Sequence, residues 1–329
     1  MSRLSLSLAA LALAASASAA HAVEEITVAY FLEWPLPFEA AKVDGTFEKE
    51  LGVKVNWRSF DTGVAMSAAA AAGDVQFLIS QGVPPFVTAT SAGQDLKAID
   101  IAVSYSDNDN CVARTDLEIT KDNAKTELVG KKVGVPIGTA AHYGFLKQLE
   151  HFGLTADQLQ VVDLAPPDGA AAIAQGNIDV FCGWGGSLAR AKEYGNILLT
   201  GAEKEALGIR IFDVISTPGA FASENPDLVA KFLKVVNDQN AAYAAAPDGF
   251  IPVLAKDAGL DEATTRDQLA GFTLPTVEEK LSDKWLGGGL QAFLKEVADF
   301  FVSTGNIPSA LDSYDGVVDA SYLEAASKL

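Results

Sequence analysis

His142 and His151 are the only histidines beyond residue 22, and the two cysteines, Cys111 and Cys182, stand far apart in the chain. The spacing that metal ligands would show is absent. Neither a Gly-x-Ser-x-Gly elbow nor a Gly-x-Gly-x-x-Gly dinucleotide loop occurs; the nearest approach, Gly183-Trp184-Gly185-Gly186-Ser187, fails both spacings. Acidic pairs are abundant, but in a chain with 43 acidic residues two neighbouring carboxylates read as surface charge. The sequence predicts no catalytic group, no metal and no cofactor.

Non-covalent chemistry has better-placed candidates. Lys132-Val133-Gly134-Val135-Pro136 reads as a strand, Ile137-Gly138 as a turn, and Thr139-Ala140-Ala141-His142-Tyr143 as the opening of a helix. A helix start presents unpaired backbone N–H groups and the positive end of its dipole, which suits an anion. Thr139 would add a hydroxyl and His142 a ring donor, or Thr139 would be an N-cap beside a surface histidine. Tyr143 reads equally as pocket or packing. Asp213 follows an apolar run, Ile209-Arg210-Ile211-Phe212, where a carboxylate could meet a cation or form a salt bridge with Arg210. Trp184 offers a ring face to a cation or fills a core. Gln81 and Gly82 stand, like Thr139 and Trp184, where a strand gives way to a helix, the edge at which open α/β sheets bind ligands.

Alternating β-rich and helical runs place these residues. Strands are predicted at 26–31, 53–57, 75–79 and 97–103, with an Ala-rich helix at 62–73 closed by Gly73, and a helix opened by Pro84 and Pro85. After a polar break at 104–110 a second series follows, with strands at 111–114, 132–136, 161–164 and 178–182. The two series echo each other: Gly73-Asp74-Val75-Gln76-Phe77 matches Gly176-Asn177-Ile178-Asp179-Val180. A further strand at 212–216 is followed by an almost wholly helical remainder at 225–245, 247–258 and 290–304. No third sheet can be built from it, so those helices must cover an existing lobe. The fold class is α/β, with two lobes, mainly parallel sheets, two crossings near Asp109 and Asp213 that form a hinge, and a helical C-terminus. Lobe I would comprise 23–109 and 216–329, and lobe II 110–215.

The N-terminus has Arg3, an apolar run from Leu4 and a small-residue exit at Ala20-His21-Ala22. That is the layout of a secretory signal peptide over 1–22, cleaved before Val23. The expected destination is the periplasm, where Cys111 and Cys182 could form a disulfide or remain buried thiols. With 24 basic against 43 acidic residues, the formal net charge is −19. The surface repels nucleic acid and anionic lipid, and any anion site must be made locally.

In order along the chain, Trp57-Arg58-Ser59-Phe60-Asp61-Thr62-Gly63, Gly73-Asp74-Val75-Gln76, the segment 131–143, Pro166-Pro167, Gly176-Asn177-Ile178-Asp179 with Trp184, Asp213-Val214 and Asn225-Pro226-Asp227-Leu228-Val229 resemble the taurine-binding branch of the sulfonate, nitrate and thiamine-precursor solute-binding family. The resemblance spans about 26–276. It implies a periplasmic-binding-protein fold of type II-like topology, capture of taurine between two lobes, and delivery by a monomer to an ABC permease and ATPase at the inner membrane. It also implies that Asp213 is the amine-binding aspartate. Two departures bear on the ligand. The loop 31–39, with Glu33, Trp34 and Phe38 as lid or wall candidates, is longer and more apolar than expected, and Ser80-Gln81-Gly82-Val83-Pro84 lacks a hydroxyl beside its proline. The alternatives are another small sulfonate or anion (an alkanesulfonate, hypotaurine or nitrate), a pyrimidine, or a ligand-sensing module for a membrane receptor.

Overall fold

A computed structural model describes residues 23–105 and 107–329; the expected signal peptide, 1–22, lies outside the described residues. Eleven strands form two sheets: β1 (Glu25–Tyr30), β2 (Lys54–Ser59), β3 (Phe77–Gly82), β4 (Leu96–Tyr105), β5 (Asp109–Arg114), β6 (Lys132–Val135), β7 (Gln160–Asp163), β8 (Val180–Trp184), β9 (Gly195–Ile197), β10 (Phe212–Pro218) and β11 (Phe272–Thr273). The first sheet runs β11-β4-β10-β3-β1-β2 and the second β7-β6-β8-β5-β9.

Strand direction follows from the crossings. β1 is parallel to β2 and β3, while β10 is antiparallel to both of its neighbours, β3 and β4. In the second sheet β6 is parallel to β7 and β8, and β5 is antiparallel to β8 and β9. Each sheet is therefore mainly parallel, with one reversed strand inside it, β10 in the first and β5 in the second, while the short β11 also runs antiparallel to β4 at the first sheet's edge. Those reversed strands, β5 and β10, are the ones that enter each sheet just after the chain has changed lobe. The return is complete by Phe212, ahead of the expected boundary at 215/216.

Local chemistry explains the elements. Thr62 accepts from the Ala65 N–H and starts the helix Gly63–Ala71. Gly73 and Gly176 then adopt φ of 83° and 72°, the left-handed region where a Cβ would be strained, and turn the chain into β3 and β8. Both strands begin at 77 and 180, two residues later than predicted, so Gly82 and Trp184 are final strand residues instead of loop residues.

The helical remainder covers the first sheet. Helix Pro226–Ala245 packs on Phe38–Asp44, Thr46–Leu51 and Ser321–Ala326, and Gly289–Ser303 lies against Val83–Ser91. Phe232 stacks on Phe77 at 3.9 Å between centroids, both fully buried, each worth about 1.5–3 kcal/mol of burial. Within the second lobe, Cys111 and Cys182 face one another on β5 and β8 and are joined by a disulfide, with 4.0 Å between Cα atoms. Among the described residues no helix is long and apolar enough to cross a membrane.

Candidate functional site

The carboxyl ends of β1, β3, β4 and β8 converge with the start of β10 and the helix Ala140–Phe152 around a cavity of about 290 Å3. Gly82 ends β3 and pairs in register with Asp213 on β10. Tyr105 ends β4, Trp184 ends β8, and Phe31 follows β1 directly. The second lobe contributes Trp184, Thr139 and Ala140; the first contributes the rest, with Trp34, Gly63 and Pro85 completing the wall.

Asp213 is the polar centre. Its carboxylate is 2 % exposed and accepts from the Ser80 hydroxyl at 2.6 Å and the Tyr105 hydroxyl at 2.6 Å. Ser80 accepts in turn from the Trp34 indole N–H at 3.0 Å. To aim its hydroxyl this way Ser80 adopts φ of 62°, which costs a non-glycine residue about 1–3 kcal/mol. Burial pushes the Asp213 carboxyl up to about 7, and the bonds from Ser80 and Tyr105 pull the other way. Burial also lifts the Tyr105 phenol well above its ordinary range, so it stays a donor.

Opposite this carboxylate lies the helix Ala140–Phe152. Thr139 caps it: its hydroxyl donates to the Pro136 carbonyl at 2.6 Å and accepts from the His142 N–H at 3.4 Å. That hydroxyl is committed to the cap. The free donors of a helix start are the first backbone N–H groups, and Ala140 carries one at the cavity wall. The arrangement thus pairs an anion-binding helix end with a buried carboxylate, separated by apolar rings.

Five predicted residues, Gly82, Thr139, Trp184, Asp213 and Trp34, meet at this cavity. The other four do not line it. Gln81 donates to Ser67 and accepts from Ser216, each at 2.5 Å, so its amide is consumed in tying β3 to its neighbours. His142 turns away; its Nδ1 accepts from the Gly138 N–H, its ring lies 6.0 Å from Phe301, and burial holds it down to about 4, which leaves it uncharged at neutral pH. Tyr143 packs edge-on against Phe293 and Phe300. Glu33 reaches the second lobe, where Arg190 donates to it at 2.7 and 3.0 Å. Phe38 stacks on Trp57 inside the first lobe. Of the residues that sequence reasoning missed, Phe31 and Tyr105 each close an apolar strand run, the signal that singled out Trp184. Ser80 had no such signal.

A second buried carboxylate, Asp109, stands at the first crossing. Burial pushes it up to about 7 against the pull of Lys204, whose ammonium donates to the Asp109 carbonyl at 2.5 Å. Among the described residues no group of three or more His, Cys, Asp or Glu side chains converges as metal ligands would.

A small cavity between two α/β lobes joined by two crossings is the layout of the two-lobed solute-binding fold. The chain belongs to the NMT1/THI5 like family, whose model matches residues 36–249. It is similar to the taurine-binding periplasmic protein of Escherichia coli (strain K12), with 29% identity over 91% of this chain and 92% of that one. In structure it resembles the alkanesulfonate-binding protein from Xanthomonas axonopodis pv. citri bound to MOPS, with a TM-score of 0.75, 19% identity, and 90% and 98% of the two chains covered. The same fold is shared by the desulfurization enzyme DszB, at a TM-score of 0.67 and 15% identity, with 93% and 99% covered. The fold alone therefore does not separate binding from catalysis; the site must.

Proposed function

We propose that this chain is the extracytoplasmic solute-binding component of an ABC importer, that it captures taurine or a closely related small aminosulfonate between its lobes, and that the closed form is what the permease receives. In this reading residues 1–22 direct export and are removed, and the mature protein works as a periplasmic monomer without chemical turnover. The observation that carries it is the buried Asp213 carboxylate, held by Tyr105 and Ser80 across a cavity of about 290 Å3 from a helix N-terminus.

The roles divide by charge. A sulfonate accepts from the N–H groups at the start of Ala140–Phe152, where the dipole is positive. An ammonium at the other end gives Asp213 the counter-charge that its burial withholds. Phe31, Trp34 and Trp184 cover the short linker between them and exclude water, which strengthens both interactions. Closure is selected because only the closed form joins the donors of one lobe to the carboxylate of the other.

One feature favours a second reading, an alkanesulfonate. The cavity wall is mostly apolar, and a carboxyl held up to about 7 can keep its proton and present no charge to an alkyl tail. A thermal-shift panel separates the two with taurine, hypotaurine, ethanesulfonate, sulfate and nitrate at equal concentration. A true ligand at a hundred times its Kd adds about 2.7 kcal/mol and raises Tm by several degrees. Taurine is expected to lead; equal stabilisation by ethanesulfonate removes the amine-binding role of Asp213.

A further inference from the structure

The inner cavity has a larger neighbour. A second hollow of about 800 Å3 lies against it, and Phe31 and Trp184 line both. Their rings stand 5.8 Å apart at 58°, one from each lobe. The two chambers thus share this ring pair, one ring from each lobe, and the contact is made only when the lobes meet. The outer chamber is polar at its rim, where Asp61, Ser187 and Asp257 stand, and continues along Pro166 and Pro167. Part of its lining is tightly packed: Gly185 and Gly186 lie against Glu33, where an added Cβ would come within 2.7 Å of the Glu33 carbonyl oxygen and 2.8 Å of its carboxylate.

From this geometry we infer that the Phe31–Trp184 pair is the length filter of the site. In this reading a short ligand, with a two-carbon linker, stays on the inner side of the pair and leaves the rings in contact. An extension toward the outer chamber must displace Phe31, which is buried and packed in the core, or hold the lobes apart and lose the donors of one of them. Removing the Phe31 ring joins the two chambers, so the longer ligand gains the space the shorter one has no use for. A misfit of one methylene in such a pocket is worth roughly 10–200-fold in selectivity.

The probes chosen for the test rest on the aminosulfonate reading above. Calorimetric titration of the mature wild-type protein, Phe31→Ala and Phe31→Leu would use taurine, 3-aminopropanesulfonate and 2-(cyclohexylamino)ethanesulfonate. The wild type is expected to bind taurine and to disfavour the cyclohexyl compound by about 100-fold or more. In Phe31→Ala that ratio is expected to shrink at least about tenfold, through weaker taurine binding together with gained binding of the bulky compound. Phe31→Leu keeps an apolar side chain at the core position and should fall between, so the ratio can be read even if the alanine variant does not fold. Equal binding of taurine and the cyclohexyl compound by the wild type overturns the filter, as does a ratio unchanged in folded variants. Absence of heat for taurine with the wild type rejects the ligand reading itself, and the filter with it; the two failures are distinct.

Discussion

The Tyr105 hydroxyl donates to the Asp213 carboxylate at 2.6 Å, joining the end of β4 to the start of β10 in the interior of the first lobe. With Ser80 on the other oxygen, the carboxylate is aimed before any ligand arrives. Neither donor carries charge. The site is oriented but its charge is unanswered, and this sets how binding should respond to pH and mutation.

Affinity for an aminosulfonate should rise with pH up to about 7. Burial raises Asp213 to about 7, so below that pH the free site holds a proton that an ammonium must expel. One proton per site gives about a tenfold loss of affinity for each pH unit below 7 and a plateau above it, until the ligand amine itself deprotonates. Asp109 titrates in the same range and Tyr105 far above it. Asp213→Asn therefore serves as the control: calorimetry from pH 5 to 8.5 is expected to show the slope in the wild type and none in the variant. The ligand-free fold follows the same linkage with its own sign. A carboxyl raised from 3.8 to about 7 stabilises the folded state fully at low pH and loses that contribution as pH rises through about 7. The melting difference between Asp213→Asn and wild type should grow in favour of the variant over that window.

Gly82→Ala should separate folding from binding. Gly82 has φ of −57°, open to any residue, and a Cβ there would sit 3.5 Å from the Ala140 Cβ and 3.6 Å from Asp213 Oδ1, ordinary contact distances. The empty protein tolerates the methyl group, with stability within about 0.5 kcal/mol of wild type. The ligand does not, since the methyl occupies the space beside the carboxylate. Taurine affinity is expected to fall at least about tenfold at unchanged Tm.

The Glu33–Arg190 pair is a tether across the cleft, and a modest one. It is bidentate, but the side chains are 29% and 47% exposed, so solvent screens it. Gly186 adds a backbone bond to the Glu33 carbonyl at 3.2 Å that mutation at 190 leaves in place. Arg190→Ala should raise ligand koff about two- to fivefold with little change in kon, and salt should have the same effect on the wild type only. Stopped-flow displacement at two ionic strengths reads this directly.

Reduction of the Cys111–Cys182 bond should weaken the second lobe without altering ligand choice. The bond closes 71 residues of chain, for which loop entropy gives about 4 kcal/mol. A drop in Tm with reductant, and an unchanged order of taurine over ethanesulfonate at temperatures where the protein remains folded, is the expected result.

Much of this could be read in the sequence because it is local or periodic. The βα alternation, the Gly73 and Gly176 turns and the Thr139 cap are decided by neighbouring residues. The two-residue error at β3 and β8 arose because Val75 and Ile178 are buried without being in the ladder, and apolar pattern reports burial, not pairing. The facing of His142 and Tyr143, left open between pocket and packing or surface, is not legible for a different reason. What decides their orientation is the helix Gly289–Ser303, about 150 residues downstream, which supplies Phe293, Phe300 and Phe301 to receive them. The partners of Gln81 are not legible in sequence because Ser67 and Ser216, which engage its amide, meet it only in the folded lobe. Tyr105 obeys the rule that finds Trp184, an aromatic closing a strand at its carboxyl end, but the polar break that follows it masks where that strand ends.

Whether a paired zwitterion is what the two lobes enclose can be decided by titrating the protein at pH 8 with taurine and with ethanesulfonate, which differ by the amine alone. Tight, saturable heat for taurine, about a hundredfold weaker binding of ethanesulfonate, and loss of that difference in Asp213→Asn are the expected results. Equal affinity for both compounds in the wild type, or full taurine affinity in Asp213→Asn, would contradict the account.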